Sequence, residues 1–286
     1  MKRTRIGWVL CLAVLMAFVL AACGGGGGGG SAAAASDVVA SPDDFPGHSI
    51  GVQTGTTAAQ SIEELYPDGA DDVEVRSYRQ ILQCFEDLSL GRIDAVYVDS
   101  VVSGYYTAGD DGFVRSWLSD EPEPMGICFL KEQTDLAAAV EAAIDTMYAD
   151  GTMDAIAEAN FGDTEGFVDV RNVAEAPEIP GGFTTLEEGK LKVGMEVGYP
   201  PMEYLAEDGL TEVGFDVDVA NKIGELLGLE VEFENTSFDG IFAGLEKGSY
   251  DCIISAVSIN EERQEKYLLT EPYVANRLSI VVKSEG

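Results

Sequence analysis

The sequence predicts a mixed α/β fold, on two observations. Beyond Ser41, short unbroken apolar runs alternate with amphipathic segments, a pattern typical of layered α/β structures. The pattern occurs both before and after residues 163–184, where Pro177, Pro180 and Gly181 stand among scattered acids as in a linker. With 286 residues, of which 46% are hydrophobic, the chain can form one large or two medium domains with ample cores.

Before the linker, the apolar periodicity predicts alternating strands and helices. The spacing of Ile81, Phe85 and Leu88 places them on one face of a helix, which Ser77 is expected to cap and Gly91 to end. The predicted strands are 49–53, 73–76, 93–98 and 125–130, and the other predicted helices are 57–66, 100–106, 134–150 and 152–161.

After the linker, the same kind of pattern resumes. The predicted strands are 191–194, 230–233, 252–254 and 278–282, and the predicted helices are 215–227, 238–246 and one that begins after Asn260. Residues 195–202 are expected to form a loop that leaves the first of these strands.

The first 23 residues have the pattern of a secretory signal rather than of a membrane span. Basic residues precede the apolar run 6–20, and the ending LAAC is similar to the lipobox of bacterial lipoproteins. That likeness implies removal of residues 1–22 and a lipid on the sulfur of Cys23; the alternative is an ordinary signal peptide with a chance cysteine. The glycines and alanines that follow predict a flexible tether over residues 23–40, with the folded body outside the cytoplasmic membrane.

The charge balance argues against one class of partner. The chain has 17 Lys and Arg against 51 Asp and Glu, a formal net charge of −34. This surplus excludes a broad basic face for nucleic acid or anionic lipid, and we interpret it as a contribution to solubility.

Signatures of enzymes and of metal sites are thin. Cys84, Cys128 and Cys252 lie in apolar contexts without a CxxC pattern, which indicates small buried hydrophobic residues, although oxidation of one pair outside the cell stays open. His48 is the only histidine and lies in a predicted turn, so no His-based triad or metal cluster is expected. We predict no catalytic residue, no metal and no cofactor.

The stretch 251–267, DCIISAVSINEERQEKY, carries the first candidate binding group. Its apolar run predicts a buried strand, and Asn260 is a good N-cap for the helix that follows. Arg263 then lies beyond the carboxyl end of a strand, where parallel sheets open their ligand crevice. Beside the hydroxyls of Ser255 and Ser258, its guanidinium suits a carboxylate that accepts two parallel hydrogen bonds. The alternative is that Arg263 pairs with the glutamates of its own helix.

Further candidates stand at other strand ends. The loop from Gln53 to Thr57 offers hydroxyls and free N–H groups at a helix N-terminus, which suits a carboxylate, but it lacks the lysine of a P-loop. Asp99 follows another strand and would either meet an ammonium group or cap the next helix. Tyr199 and Phe238 would supply flat apolar walls or simply belong to the core.

Six segments together resemble the polar amino-acid family of extracytoplasmic solute-binding proteins, the receptors of ABC importers. They are GVQTGTTAAQ, GRIDAVYVDS, ADGTMDAIAEANFG, LKVGMEVGYPPMEY, GFDVDVANKIGELLG and SYDCIISAVSINEERQEKYLLTEPY. The likeness covers residues 41–162 and 183–286. It implies the periplasmic-binding-protein type II fold, in which two α/β lobes joined by two strand crossings close on a ligand.

The order of these segments is reversed relative to the family. In relatives the LKVG segment comes first and the GTMDAIAEANFG-type helix comes last, so the resemblance implies a circular permutation in which residues 163–184 join the old ends. Mapped onto this chain, lobe 1 is 131–273, including that linker, and lobe 2 is 41–128 plus 276–286. The hinges would lie near residues 126–130 and 274–276.

Carried over position by position, the resemblance implies an amino-acid site formed by both lobes. Arg263 would bind the α-carboxylate with Ser258 and Thr57, and Asp99 would receive the α-ammonium. The aromatic walls would be Tyr199 and Phe238, and the remaining lining positions would be Ser255, Glu196 and Gln53. Glu196 stands where many relatives carry aspartate, and Ala58 where some carry a longer polar residue.

The resemblance therefore implies a lipid-anchored extracytoplasmic receptor that captures a polar or basic amino acid by lobe closure and delivers it to an ABC permease. The expected partners are the free amino acid, the permease and the membrane through the lipid on Cys23, without nucleic acid. Two alternatives stay open: an amino-acid-sensing module for a signalling partner, and a dehydratase-type enzyme on the same fold.

Overall fold

The structure, a computed structural model, describes residues 38–67, 72–109, 112–162 and 167–284. The predicted signal peptide, Cys23 and most of the predicted tether lie outside these residues. Within the described ranges, no helix combines the length and the apolar character that crossing a membrane requires.

The first sheet is built mainly from the chain before the linker. Its strand order is β2-β1-β3-β12-β4, and the strands are β1 (Ser49–Gln53), β2 (Glu74–Tyr78), β3 (Ala95–Asp99), β4 (Phe113–Leu118) and β12 (Leu278–Lys283). β1 pairs in parallel with β2 and β3, whereas β12 runs antiparallel between β3 and β4. The accompanying helices are α1 (Thr57–Leu65), α2 (Ile81–Ser89) and α3 (Ser100–Thr107). β1 and β3 are buried at every position, as expected of central strands covered on both faces.

The second sheet has the order β11-β5-β10-β6-β9. Its strands are β5 (Cys128–Phe129), β6 (Lys190–Met195), β9 (Glu230–Asn235), β10 (Cys252–Ile253) and β11 (Leu268–Leu269), and β7 (Tyr204–Leu205) pairs with β8 (Glu212–Val213) in a separate hairpin. The helices are α4 (Thr134–Asp150), α5 (Thr152–Phe161), α6 (Phe215–Leu227), α7 (Phe238–Glu246) and α8 (Glu261–Lys266). β6 pairs in parallel with β9 and β10, so loops that carry candidate residues leave the same edge of the sheet.

Two chain segments connect the sheets and run beside each other in antiparallel directions; the first contains Met125 and the second contains Val274. Met125 exchanges backbone hydrogen bonds with the second segment, because its N–H donates to the carbonyl of Val274 and its carbonyl accepts from Tyr273 N–H, both at 3.0 Å. Glu123 N–H donates to the carbonyl of Asn276 at 2.8 Å. The chain therefore forms two α/β lobes joined by two adjacent crossings, which confirms the predicted two-lobe α/β fold, while the circular permutation stays a prediction. Below, lobe 2 means the part built on the sheet of β1, and lobe 1 the part built on the sheet of β6.

Several details differ from the sequence prediction. Ser77 does not cap α2, because it lies within β2; Gln80 occupies the N-cap and exchanges hydrogen bonds with Gln83 in a capping box. The half-exposed strand β4 had no predicted counterpart. The predicted strand 125–130 is regular only over β5, and Cys128 already belongs to the second sheet rather than to lobe 2.

The described part of the linker is fixed to the second crossing by a buried arginine. The Arg171 side chain is 6% exposed, and its Nη1 contacts Glu141 Oε1 at 2.5 Å and Asp145 Oδ1 at 2.8 Å. Its remaining N–H groups donate to the backbone carbonyls of Glu271 and Pro272. Because both carbonyls lie just before the crossing, the linker is anchored where the two lobes join.

The two ends of the described chain meet in one hydrophobic core. Val39 and Phe45, from the start of the described chain, share a buried cluster with Ile280 and Val282 of β12. Both ends therefore belong to lobe 2. The three cysteines of the body are free and buried, as expected for small hydrophobic side chains.

Candidate functional site

A cavity lies between the two lobes, with about 290 Å³ of space not filled by atoms, including its opening to solvent. All nine predicted ligand-binding residues line it: Gln53, Thr57, Asp99, Glu196, Tyr199, Phe238, Ser255, Ser258 and Arg263. Thr56, Glu203 and Ala256 complete the lining. The fold thus brings together residues up to about two hundred positions apart, while their roles toward a ligand stay predictions.

Arg263 is held at the start of α8 and faces away from the glutamates of its own helix. The side chain of Asn260 caps the helix by accepting from Arg263 N–H at 2.8 Å, as predicted. Glu262 pairs instead with Lys266, at 2.7 Å. Arg263 itself is only 6% exposed, so its guanidinium is directed into the protein.

The guanidinium of Arg263 retains N–H groups for a ligand. Nη1 donates to the carbonyl of Ser258 at 2.8 Å, and Nη2 reaches the carbonyl of Gly55 in lobe 2 at 3.5 Å. The rings of Phe238 and Phe242 lie 5.7 and 5.2 Å from Arg263 Cζ, within cation–π range. Burial lowers the pKa of Arg263, but a guanidinium stays charged in proteins. The site therefore offers a desolvated positive charge.

Asp99 lies at the end of β3, on the opposite lobe. Its carboxylate accepts hydrogen bonds from Tyr199 OH at 2.6 Å and from Asn276 Nδ2 at 2.5 Å. Although Asp99 occupies the N-cap position of α3, its side chain makes no capping hydrogen bond. Burial raises the pKa of Asp99, and the two hydrogen bonds oppose that rise. This carboxylate is consequently free of the capping role and lies in the cavity wall.

A second carboxylate beside Asp99, that of Glu123, had no signal in the sequence. Asn276 Nδ2 also contacts Glu123 Oε2, at 3.2 Å, so one amide bridges the two acids. Burial, together with the charge of Asp99, raises the pKa of Glu123 to about 7, while hydrogen bonds from Thr57 and Ser258 favour its ionised form. Glu123 reaches the site only because its crossing segment lies against the second one.

The far end of the cavity is rich in hydrogen-bond acceptors. Glu196, the first residue after β6, accepts from Gln53 Nε2 at 2.5 Å across the lobes. Burial raises the pKa of Glu196 to about 7. Gln53 Oε1 is buried and finds no donor in the part of the chain that the structure describes. A ligand side chain with N–H donors would satisfy both residues.

Glu196 also borders a wider depression of about 730 Å³ that opens to the surface. Its other lining residues come from both lobes and are Arg79, Gln80 and Gln83 on one side and Asn235, Thr236 and Ser237 on the other. A ligand side chain that reaches Glu196 therefore has room to extend beyond it.

The two lobes contact each other around the cavity. Tyr199 OH to Asp99 and Gln53 to Glu196 are direct hydrogen bonds, and Thr57 Oγ1 lies 3.5 Å from Ser258 Oγ. This closed arrangement can exclude water from a small ligand. Its polarity suits a zwitterion, with a carboxylate at Arg263 and an ammonium at Asp99. No group of three or more potential metal ligands occurs among the described residues.

Part of the chain is similar to proteins of a known family. The model of the bacterial extracellular solute-binding proteins, family 3, matches residues 191–286. The L-cystine-binding protein TcyJ of Escherichia coli strain K12 is 36% identical over 97 residues, which cover 34% of this chain and 36% of the relative. The arginine-binding periplasmic protein of Mannheimia haemolytica is 34% identical over 91 residues, which cover 32% and 38%. The chain thus spans about a third of the length of the curated relatives it matches.

Among solved structures, the arginine-bound domain 1 of TmArgBP is 35% identical, with a TM-score of 0.30, over 33% of this chain and 80% of that one. The L-cystine solute receptor of Neisseria gonorrhoeae is 38% identical, with a TM-score of 0.26, over 27% and 33%. Residues 191–286 of this chain are thus similar to the bacterial extracellular solute-binding proteins, family 3.

Proposed function

We propose that this protein is an extracytoplasmic receptor that binds a free amino acid with a polar or basic side chain between its lobes. The observation that carries the proposal is the enclosed cavity, with a buried guanidinium on one lobe and a buried carboxylate on the other. A zwitterion leaves water only where both of its charges find partners, and this cavity offers one of each.

The placement of the two charges couples binding to closure. Arg263 belongs to lobe 1 and Asp99 to lobe 2, so a ligand that contacts both stabilises the closed arrangement over an open one. Thr57 of lobe 2 and Ser258 of lobe 1 meet at the same end of the cavity and would share the ligand carboxylate with Arg263. Closure of this kind is a signal that an ABC permease can read.

The charge surplus of the cavity favours a cationic side chain. Arg263 is the basic residue in the described lining, whereas Asp99 and Glu196 line the same cavity and Asn276 joins Glu123 to Asp99. A ligand ammonium at Asp99 leaves Glu196 and Gln53 Oε1, which has no donor among the described residues, for the side chain. Relatives named for arginine, histidine and cystine binding agree with a polar or cationic group there.

The proposed location is the outer face of the cytoplasmic membrane, with Cys23 lipidated and an ABC permease as partner. The LAAC motif and the glycine-rich stretch after it support the anchor. Expression of the full chain and of a Cys23→Ser variant tests it. We expect the first in the membrane fraction and the second in the soluble extracytoplasmic fraction.

We further propose that the chain is a circular permutant of its family. The order of the six family-like segments supports this, as does the shared core of the two chain ends in lobe 2. In a permuted protein the new ends lie close together, and Val39 and Val282, near the two ends of the described chain, belong to one buried cluster.

A ligand screen tests the proposed function. The Cys23→Ser protein is heated with each of the common L-amino acids, and hits are measured by calorimetry. We expect stabilisation by one or a few basic or polar amino acids. The bound compound is then recovered after overnight incubation; intact recovery supports a receptor, whereas a converted product would identify a dehydratase-type enzyme. Binding of no amino acid would refute the proposal.

A further inference from the structure

Two carboxyl side chains hold neighbouring residues at the floor of the cavity. Glu203 is 1% exposed and accepts from the hydroxyl of Ser255, and Asp216 is fully buried and accepts from the N–H of Ala256. Two ionised carboxylates side by side in a dry interior would repel strongly. The proposed ligand-binding scheme uses neither of them.

The backbone forces this arrangement. Gly214 has φ +128°, and a Cβ there would lie 2.3 Å from the carbonyl oxygen of Met202, so only glycine fits. This close approach lets Phe215 and Asp216 donate backbone hydrogen bonds to the carbonyls of Pro201 and Met202, at 3.0 and 2.8 Å. The start of α6 is thereby joined to the segment just before Glu203.

Asp216 is surrounded as an ionised carboxylate would be. It accepts from Tyr273 OH at 2.7 Å and from Ala256 N–H at 2.8 Å. It is also the second residue of α6, where the helix N-terminus favours negative charge.

Glu203 has the opposite surroundings. Oε1 accepts from Ser255 OH at 2.5 Å, whereas Oε2 is buried and receives no donor within the part of the chain that the structure describes. The titratable groups that face Glu203 are Asp216, Glu196 and the phenols of Tyr199 and Tyr273, which are negative or neutral. An Oε2 that carries a proton becomes a donor, and the Asp216 carboxylate, which interacts with the Glu203 carboxyl group, can accept from it.

We propose that Glu203 is a carboxylic acid at neutral pH, which donates its Oε2 proton to Asp216 and so acts as the positioning residue for the cavity floor. The pair holds both floor residues: Ser255 through Glu203, and Ala256 through Asp216. Ala256 has φ +46°, a left-handed conformation that is strained for a residue with a side chain. Ser255 Oγ in turn accepts Glu196 N–H at 3.0 Å, so the proton supports the loop that presents Glu196.

The direction of the pKa shifts agrees with this assignment. Burial and the adjacent Asp216 charge raise the pKa of Glu203 well above its usual range. Burial raises the pKa of Asp216 less far, to about 6, because Tyr273 and Ala256 donate to it. Glu203 therefore keeps the proton as pH rises, and Asp216 ionises first.

The proposal predicts a proton that the folded chain holds and the unfolded chain releases. In the unfolded chain Glu203 ionises near pH 4.3, so above that pH the ratio of folded to unfolded protein falls by about tenfold per pH unit on account of this group. The fall ends at the folded-state pKa of Glu203. Glutamine keeps the donor and has no proton to lose, so Glu203→Gln removes this contribution.

The test compares urea unfolding of the Cys23→Ser protein with its Glu203→Gln variant between pH 5 and 8. For each pH unit, the folded-to-unfolded ratio of the parent should fall by a factor about ten times larger than the factor by which the variant's ratio falls. Glu207→Gln, an exposed change on the same hairpin, is the matched control and should keep the parent's slope. Equal slopes for Glu203→Gln and the parent, or failure of Glu203→Gln to fold, would overturn the proposal.

Ligand affinity supplies the second readout, which rests on the proposed function. Glu203→Gln should bind the best amino acid within about threefold of the parent at pH 7, whereas Glu203→Ala should weaken binding by at least about tenfold. Weak binding by the glutamine variant would mean that the floor needs an ionised Glu203. If no amino acid binds any of these proteins, the proposed function fails, and the unfolding slopes still decide the protonation of Glu203.

Discussion

Replacement of Arg263 by alanine should abolish tight binding of the amino acid. The guanidinium is 6% exposed and is the basic group in the described cavity lining, so no other cation there can replace it. Its loss would leave the ligand carboxylate in a cavity whose nearest charged groups are the acids Asp99 and Glu123.

The expected cost follows from that geometry. Truncation of one partner of a buried, hydrogen-bonded charge pair costs about 2–5 kcal/mol. Because nearby carboxylates make the unpaired ligand carboxylate still less favourable, we expect at least about 3 kcal/mol, a loss of affinity of at least about 100-fold. Arg263→Lys keeps the charge but loses the pair of parallel N–H donors, so its affinity for the amino acid should lie between that of the parent and that of Arg263→Ala.

The assay is isothermal titration calorimetry, in which the amino acid that binds most tightly in the ligand screen is titrated into each variant. Lys266→Ala is the matched control, because Lys266 lies on the same helix but is exposed and pairs with Glu262. It should bind within about threefold of the parent. If Arg263→Ala also binds within about tenfold of the parent, the ligand carboxylate does not lie at this guanidinium.

Three further predictions concern pH, the linker and the order of the chain. A cationic side chain must pair with ionised Glu196, whose pKa is raised to about 7, so affinity should fall by up to about tenfold per pH unit as pH drops below 7, and titrations of Glu196→Gln should lack that slope. Arg171→Ala should lower the free energy of unfolding in urea by about 2 kcal/mol, less than for a fully buried pair because both partner acids are partly exposed; an unchanged midpoint would contradict this. A chain reordered as 183–284 followed by 41–162 should fold and bind the same amino acid; an unfolded product would argue against the permutation.

The sequence contained most of the fold because apolar runs and caps are local signals. β1, α6 and α7 lie within a residue or so of their predicted bounds, and Asn260 caps α8 as expected. Local signals were insufficient where pairing decides the structure. β4 is half-exposed and is ordered by its contacts with β12, which lies about 160 residues away in the chain.

The residues of the candidate site likewise divide into those that local signals predict and those that depend on long-range contacts. Arg263, Asp99 and the loop before α1 follow strand ends, where sheet geometry gathers binding groups, so their positions could be predicted. The positions of Glu123 and Glu203 could not be predicted, because each is brought to the site only by a long-range contact. Glu123 depends on the antiparallel crossing beside Asn276, and Glu203 on the close approach of Gly214 to Met202.

A crystal structure of the protein with its tightest-binding amino acid would show the position of the ligand directly. We expect one ligand in the cavity between the lobes, with its α-carboxylate on Arg263, its α-ammonium on Asp99 and its side chain directed toward Glu196. A ligand bound outside this cavity, or bound in it with its carboxylate away from Arg263, would refute the proposed binding site.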